Sequence, residues 1–143
     1  MTPQRVSLIT LGTADLERAK AFYAALGWSP APSPAEVVFY QMDGMVLGLF
    51  GLDDLANDQG RAGASLGTGA ITLAQNFPDR TGVDAAWKVA LDAGATPLKA
   101  PEKVFWGGYS GYFADLDGHV WEIAHNPFWP MDDNGRITLP AAM

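Results

Sequence analysis

The sequence predicts an α+β fold in which one βαβββ module is written twice. Three observations carry that prediction. Residues Asp115-Leu116-Asp117-Gly118-His119-Val120-Trp121-Glu122 have a partner 74 positions earlier, in Met42-Asp43-Gly44-Met45-Val46-Leu47-Gly48. In both places Asp-Gly separates two apolar runs, the pattern of a β-hairpin. The offset pairs Asp117 with Asp43, Gly118 with Gly44, Val120 with Val46 and Glu122 with Gly48. Ile9-Thr10-Leu11 also recurs as Ile71-Thr72-Leu73, 62 positions on. Between each such start and its hairpin lies one stretch of helical periodicity.

The first module spans residues 5–51. Residues 5–12 read as a strand. Asp15 suits a helix N-cap, and Glu17 favours the positive end of the helix dipole. Leu16, Ala19, Phe22, Tyr23 and Leu26 recur at helical spacing, and Gly27 supplies the stop. Trp28-Ser29-Pro30 starts a short edge strand, whose pairing is limited by Pro30, Pro32 and Pro34. Val37–Met42 and Met45–Phe50 form the first hairpin. Residues 52–67 are a mobile linker with one helical turn around Asp53–Ala56.

The second module spans residues 68–126. Ala70–Gln75 is its first strand. Val83–Ala93 is its helix, with Val83, Trp87, Ala90 and Leu91 inward and Gly94 as the stop. Thr96–Lys99 is a short strand, and Tyr109–Asp115 with His119–Asn126 form the second hairpin. The tail, 127–143, begins apolar with Phe128 and Trp129, turns at Asp132-Asp133-Asn134-Gly135, and is expected to cover a sheet edge.

Composition narrows the function. The length suits one domain, or two half-domains sharing a core. Sixteen acids against nine bases give a net charge of −7, a surface that repels phosphate backbones, so no nucleic acid is expected as a partner. The absence of cysteine excludes disulfides, zinc–thiolate sites and thiol catalysis. No apolar run approaches the length of a membrane span, and the N-terminus does not read as a signal peptide. A cytoplasmic protein without membrane contact is the expectation.

The paired modules, the helix start Asp15-Leu16-Glu17-Arg18-Ala19-Lys20-Ala21-Phe22-Tyr23 with Leu26-Gly27-Trp28 after it, and Asp115–Glu122 resemble the vicinal oxygen chelate superfamily. That group holds glyoxalase I, extradiol dioxygenases, fosfomycin-resistance enzymes and bleomycin-binding proteins. Trp121-Glu122-Ile123-Ala124-His125-Asn126-Pro127-Phe128 resembles a subgroup labelled only as glyoxalase-like. The resemblance implies the glyoxalase/bleomycin resistance fold, in which the modules form a cupped mixed and antiparallel sheet, and it implies a homodimer. In metal-using members each module supplies two ligands, from its first and last strands. Those positions fall here on Leu8, Gly48, Ala70 and Glu122, of which only Glu122 can bind a metal. One carboxylate is too few for a catalytic ion. His119 and His125 stand an odd number of residues from Glu122, so strand alternation turns them to the opposite face. No metal site and no cofactor are therefore expected.

Alternation proposes the lining of the cup. Leu8, Thr10, Val46, Gly48 and Phe50 come from the first module, and Ala70, Thr72 and Ala74 from the start of the second. Val120 and Ala124 accompany Glu122. A two- or four-residue hairpin loop puts Tyr109, Gly111 and Phe113 on Glu122's side; a bulge exchanges them for Ser110, Tyr112 and Ala114. The expected ligand site is Leu8, Thr10, Gly48, Phe50, Ala70, Thr72, Tyr109, Phe113 and Glu122, with Glu122 as polar anchor or general base. Trp106-Gly107-Gly108-Tyr109-Ser110 reads as a bend near a ligand or as a bulged strand entry. It is neither a phosphate loop nor a serine-hydrolase elbow. These residues suit a metal-free protein that binds a small, partly aromatic or cationic molecule. The alternative is a metal-dependent member, a glyoxalase-like lyase, isomerase or dioxygenase.

Overall fold

A computed structural model describes residues 1–141. The chain divides into two compact units, Met1–Thr68 and Gly69–Met143.

The first unit runs β1 (Leu8–Thr13), α1 (Leu16–Ala25), β2 (Val37–Gln41), β3 (Val46–Gly51) and α2 (Leu52–Asp58). Its sheet has the order β1-β3-β2, with β1 parallel and β2 antiparallel to β3. Asp15 caps α1 as expected, its side chain accepting from the Arg18 N–H at 3.1 Å. Beyond α1, Gly27 takes φ +97°, a conformation that costs glycine least. The predicted edge strand at Trp28–Pro30 shrinks to one bridge, Ala31 to Phe39. Pro30, Pro32 and Pro34 have no N–H to donate to a ladder, so this module is βαββ. The expected mobile linker instead opens with the seven-residue helix α2.

One face of this sheet meets α1. Tyr23 and Leu49 are each only 1% exposed there, and Tyr23 stacks on Trp28 with ring centroids 5.2 Å apart. The Tyr40 hydroxyl is buried in this aromatic cluster without a hydrogen-bond partner, and burial raises its pKa above the usual tyrosine value. α2 lies against the other face at Gly12, where a Cβ would stand 2.7 Å from Leu52 Cδ2.

The second unit is a complete βαβββ module: β4 (Thr72–Asn76), α3 (Arg80–Asp92), β5 (Thr96–Lys103), β6 (Tyr109–Ala114) and β7 (Val120–His125). Its sheet order is β4-β7-β6-β5. The helix starts three residues before the predicted Val83, because Asp79 caps it by accepting from the Gly82 N–H at 2.9 Å. Val83 and Ile123 are fully buried between helix and sheet, each contributing roughly 1.5–3 kcal/mol. β5 is longer than predicted and irregular, with register shifts on both sides of Lys99. Its backbone crosses close to Gly111, where a Cβ would meet Pro101 N at 2.8 Å.

The hairpin loop between β6 and β7 decides which side chains share a face. Asp115 N donates to His119 O at 2.9 Å, closing a three-residue loop of Leu116, Asp117 and Gly118. The Asp115 carboxylate, 4% exposed, accepts from the Asp117 and His119 N–H groups, both at 2.9 Å. Gly118 takes φ +92°. An odd loop pairs Tyr112 with Glu122 and Phe113 with Trp121. Tyr109 and Phe113 therefore lie on the α3 face, which corrects their expected place beside Glu122; the bulged alternative holds. Among the described residues no helix is long and apolar enough to cross a membrane.

Candidate functional site

In the second unit, the face turned away from α3 is made of short side chains around one acid. β7 contributes Val120, Glu122 and Ala124; β4 contributes their partners Thr72, Ala74 and Asn76. β6 contributes Ser110, Tyr112 and Ala114. Burial, then the Glu122 carboxylate beside it, raise the Tyr112 pKa above the usual tyrosine value, while Lys99 opposes the shift. Lys99 itself pairs with Glu102 at 3.0 Å.

Two depressions adjoin at Glu122 and Trp106. One, of about 540 Å³, is lined by Ala74, Asn76, Ala124, Asn126, Phe128 and Trp129 together with the shared pair. The other is lined by Lys99, Glu102, Ser110 and Tyr112 among others. The first has the size of a small-molecule site. Its aromatic walls have a definite local origin. A Cβ at Gly108 would overlap the Trp106 indole, and one at Gly107 would stand 2.8 Å from Phe128 Cε2. The two glycines are thus flat seats for two rings, and Gly107 takes φ +92°.

The expected site residues separate as follows. Leu8, Thr10, Gly48 and Phe50 share one face of the first unit's sheet. Thr72 and Glu122 share the open face of the second. Ala70 precedes β4 and is exposed. Tyr109 lies against α3: its hydroxyl donates to Asp84 at 2.7 Å and the Arg80 guanidinium stands 5.2 Å from its ring centroid. Phe113 is 2% exposed on that same side. Of the residues lining these depressions, Tyr112 entered the expectation only with the bulged alternative and Trp106 only as part of a bend, while Phe128, Trp129, Asn76 and Asn126 were not expected there. The Gly107-Gly108 pair was the signal for Trp106; nothing local signalled the tail residues, which were expected to cover a sheet edge.

His125 turns away from Glu122, and its Nδ1 lies 3.0 Å from the Phe77 carbonyl oxygen. A carbonyl only accepts, so Nδ1 donates.

The donors at the four metal-ligand positions of the fold do not fit a divalent ion. Leu8, Gly48 and Ala70 offer no ligand atom, and a Cβ at Gly48 would already stand 3.3 Å from the Phe39 ring. Among the described residues no three His, Asp or Glu side chains are grouped to hold a metal.

The chain is similar to a glyoxalase-related enzyme from Fulvimarina pelagi, with 38% identity, a TM-score of 0.90, and coverage of 97% of this chain and all of that one. A glyoxalase/bleomycin resistance protein/dioxygenase family enzyme from Burkholderia phytofirmans shares the fold at TM-score 0.73 and 22% identity, over 83% of this chain and 96% of that one. An uncharacterized protein of Mycobacterium bovis is 35% identical over 79 residues, 55% of this chain. The chain spans about half the length of that relative, 47%. The profile of the Glyoxalase/Bleomycin resistance protein/Dioxygenase superfamily matches residues 5–123. With its repeated hairpins and its α+β sheets, the chain belongs to that superfamily.

Proposed function

We propose that this protein binds a small, partly aromatic or cationic molecule without a metal, on the open face of the second unit. The observation that carries the reading is Glu122: a single carboxylate, backed by Tyr112, in a cavity walled by Trp106, Phe128 and Trp129. A carboxylate in an apolar cavity directs a ligand's basic or hydroxyl group, and a charge-assisted hydrogen bond there contributes about 1.5–3 kcal/mol. Glu122 is the polar anchor in this reading, and in a catalytic role it is the general base. We place the protein in the cytoplasm as a homodimer. The exposed apolar side chains Leu8, at the start of edge strand β1, and Ile71, just before edge strand β4, support self-association.

The description of the Fulvimarina pelagi protein as an enzyme favours a second reading, a glyoxalase-like catalyst. Elemental analysis of purified protein, with a thermal-shift screen of aromatic, cationic and thiol-conjugate compounds, separates the two. The first reading expects substoichiometric metal and ligand-induced stabilisation that a chelator leaves intact. Close to one equivalent of a divalent metal bound through Glu122 would overturn it.

A further inference from the structure

We infer that the cavity beside Glu122 is an aromatic cage for a tertiary or quaternary alkylammonium group on a small molecule, an inference that rests on the small-molecule reading above. Three rings line the space from two segments. Trp106 comes from the loop before β6, and Phe128 and Trp129 from the segment after β7. Two of them lie against glycine backbone. The Trp106 indole lies over Gly108, and the edge of the Phe128 ring rests on Gly107.

Phe128 is 62% and Trp129 41% exposed. Large rings are left open to water where a ligand could cover them. Between the rings the lining is Ala74 and Ala124, two methyl groups, with Glu122 on the same strand as Ala124 and directly opposite Ala74. Asn76 and Asn126 also line the space, the Asn126 side-chain oxygen accepting from the Phe128 N–H at 2.9 Å. Lysine and arginine are missing from this lining, and Lys99 belongs to the adjoining depression.

The chemistry of that wall selects a cation that carries carbon. A primary ammonium is strongly hydrated and gains most from hydrogen bonds. A methylated ammonium has few or no N–H donors, spreads its charge over methyl groups, and is attracted to the negative faces of aromatic rings. A carboxylate at the base adds attraction without requiring a donor on the ligand. A neutral flat aromatic would gain from the rings and nothing from Glu122.

Calorimetry with choline and with 3,3-dimethyl-1-butanol, its uncharged isostere, tests the cage on the full-length protein. Choline should bind at least about tenfold more tightly than the isostere. Glu122→Gln and Trp129→Leu should each weaken choline about tenfold, while Trp129→Leu weakens the isostere clearly less, because the alcohol loses some apolar contact but no cation–π attraction. A trimethyl-lysine peptide, titrated alongside, separates a free amine from a protein-borne one; choline should bind more tightly. A peptide that outbinds choline would overturn the small-molecule assignment. Equal affinity for choline and its isostere would overturn the cage. Binding of neutral or primary-amine aromatics with no response to choline would overturn the cage and leave the small-molecule reading standing. Silence from every compound would remove both.

Discussion

The two units place an aromatic side chain opposite the same strand position and arrive at opposite chemistry. In the first, Gly48 on β3 pairs with Phe39 on β2; in the second, Glu122 on β7 pairs with Tyr112 on β6. At Gly48 the ring covers bare backbone, and a Cβ there would meet it at 3.3 Å. At Glu122 the ring carries a hydroxyl whose pKa the neighbouring carboxylate helps to raise. One face therefore ends as packing, and the other keeps a carboxylate beside a depression lined by aromatic rings. A repeated module can keep its register and lose its site in one copy, because a sheet needs only the pairing while a site needs the donors.

Removing the device that sets the second register should have the largest effect. Asp115→Ala leaves two backbone N–H groups without their acceptor in a half-buried turn. We expect a loss of about 2–4 kcal/mol in urea unfolding, since hydrogen bonds to charged groups contribute roughly 1.5–3 kcal/mol each and are not additive. Asp115→Asn, which keeps one acceptor oxygen, should lose clearly less. Equal, small losses in both variants would show that the Asp-Gly turn alone sets the loop.

The hairpins, both helices of the modules and the place of Glu122 on the strand face away from Trp121 and Ile123 were legible in the sequence, because Asp-Gly turns and apolar periodicity are local signals. The face of β6 was not. It depends on whether the loop holds two residues or three, and Asp115, rather than the more obvious Asp117-Gly118, closes it at three. Phe113 and Tyr109 moved to the helix side for that reason alone. The aromatic walls were illegible for a different reason. Trp106, Phe128 and Trp129 converge through long-range packing, and only the glycine seat at Gly108 is written near its ring. The first unit's missing edge strand shows the reverse case: the three prolines were visible, and their effect was larger than expected.

A smaller effect should separate the two tyrosines that face these units differently. The Tyr40 hydroxyl is buried without a partner, so Tyr40→Phe should raise stability by about 1 kcal/mol, read as a higher urea midpoint. A loss of that size would mean that an ordered water satisfies the hydroxyl. Tyr112→Phe removes the partner of Glu122 and should change ligand affinity more than stability, with thermal shift and calorimetry reading the two separately.

The smallest expected effect is on pH dependence. The Tyr112 pKa is raised, so its contribution to stability is intact below the ordinary tyrosine value of about 10 and is lost as pH rises through the shifted value. Burial is the first cause and Glu122 the second, so Glu122→Gln should move Tyr112 ionisation part of the way back toward the ordinary value. Ultraviolet difference titration of the two proteins, each compared with its Tyr112→Phe counterpart, reads this. An unchanged titration in Glu122→Gln would mean that burial alone sets the shift.

The central claim is that the ligand is anchored on the second unit's face and not on its counterpart. The most direct test is calorimetric titration of wild type, Glu122→Gln and Thr10→Val with a small aromatic amine that stabilises the wild type. Thr10 stands beside Gly48 on the first unit's sheet. The account predicts that Glu122→Gln weakens binding about tenfold, equal to 1.4 kcal/mol, with the fold retained, and that Thr10→Val leaves affinity unchanged. Full affinity in Glu122→Gln together with a loss in Thr10→Val would contradict it.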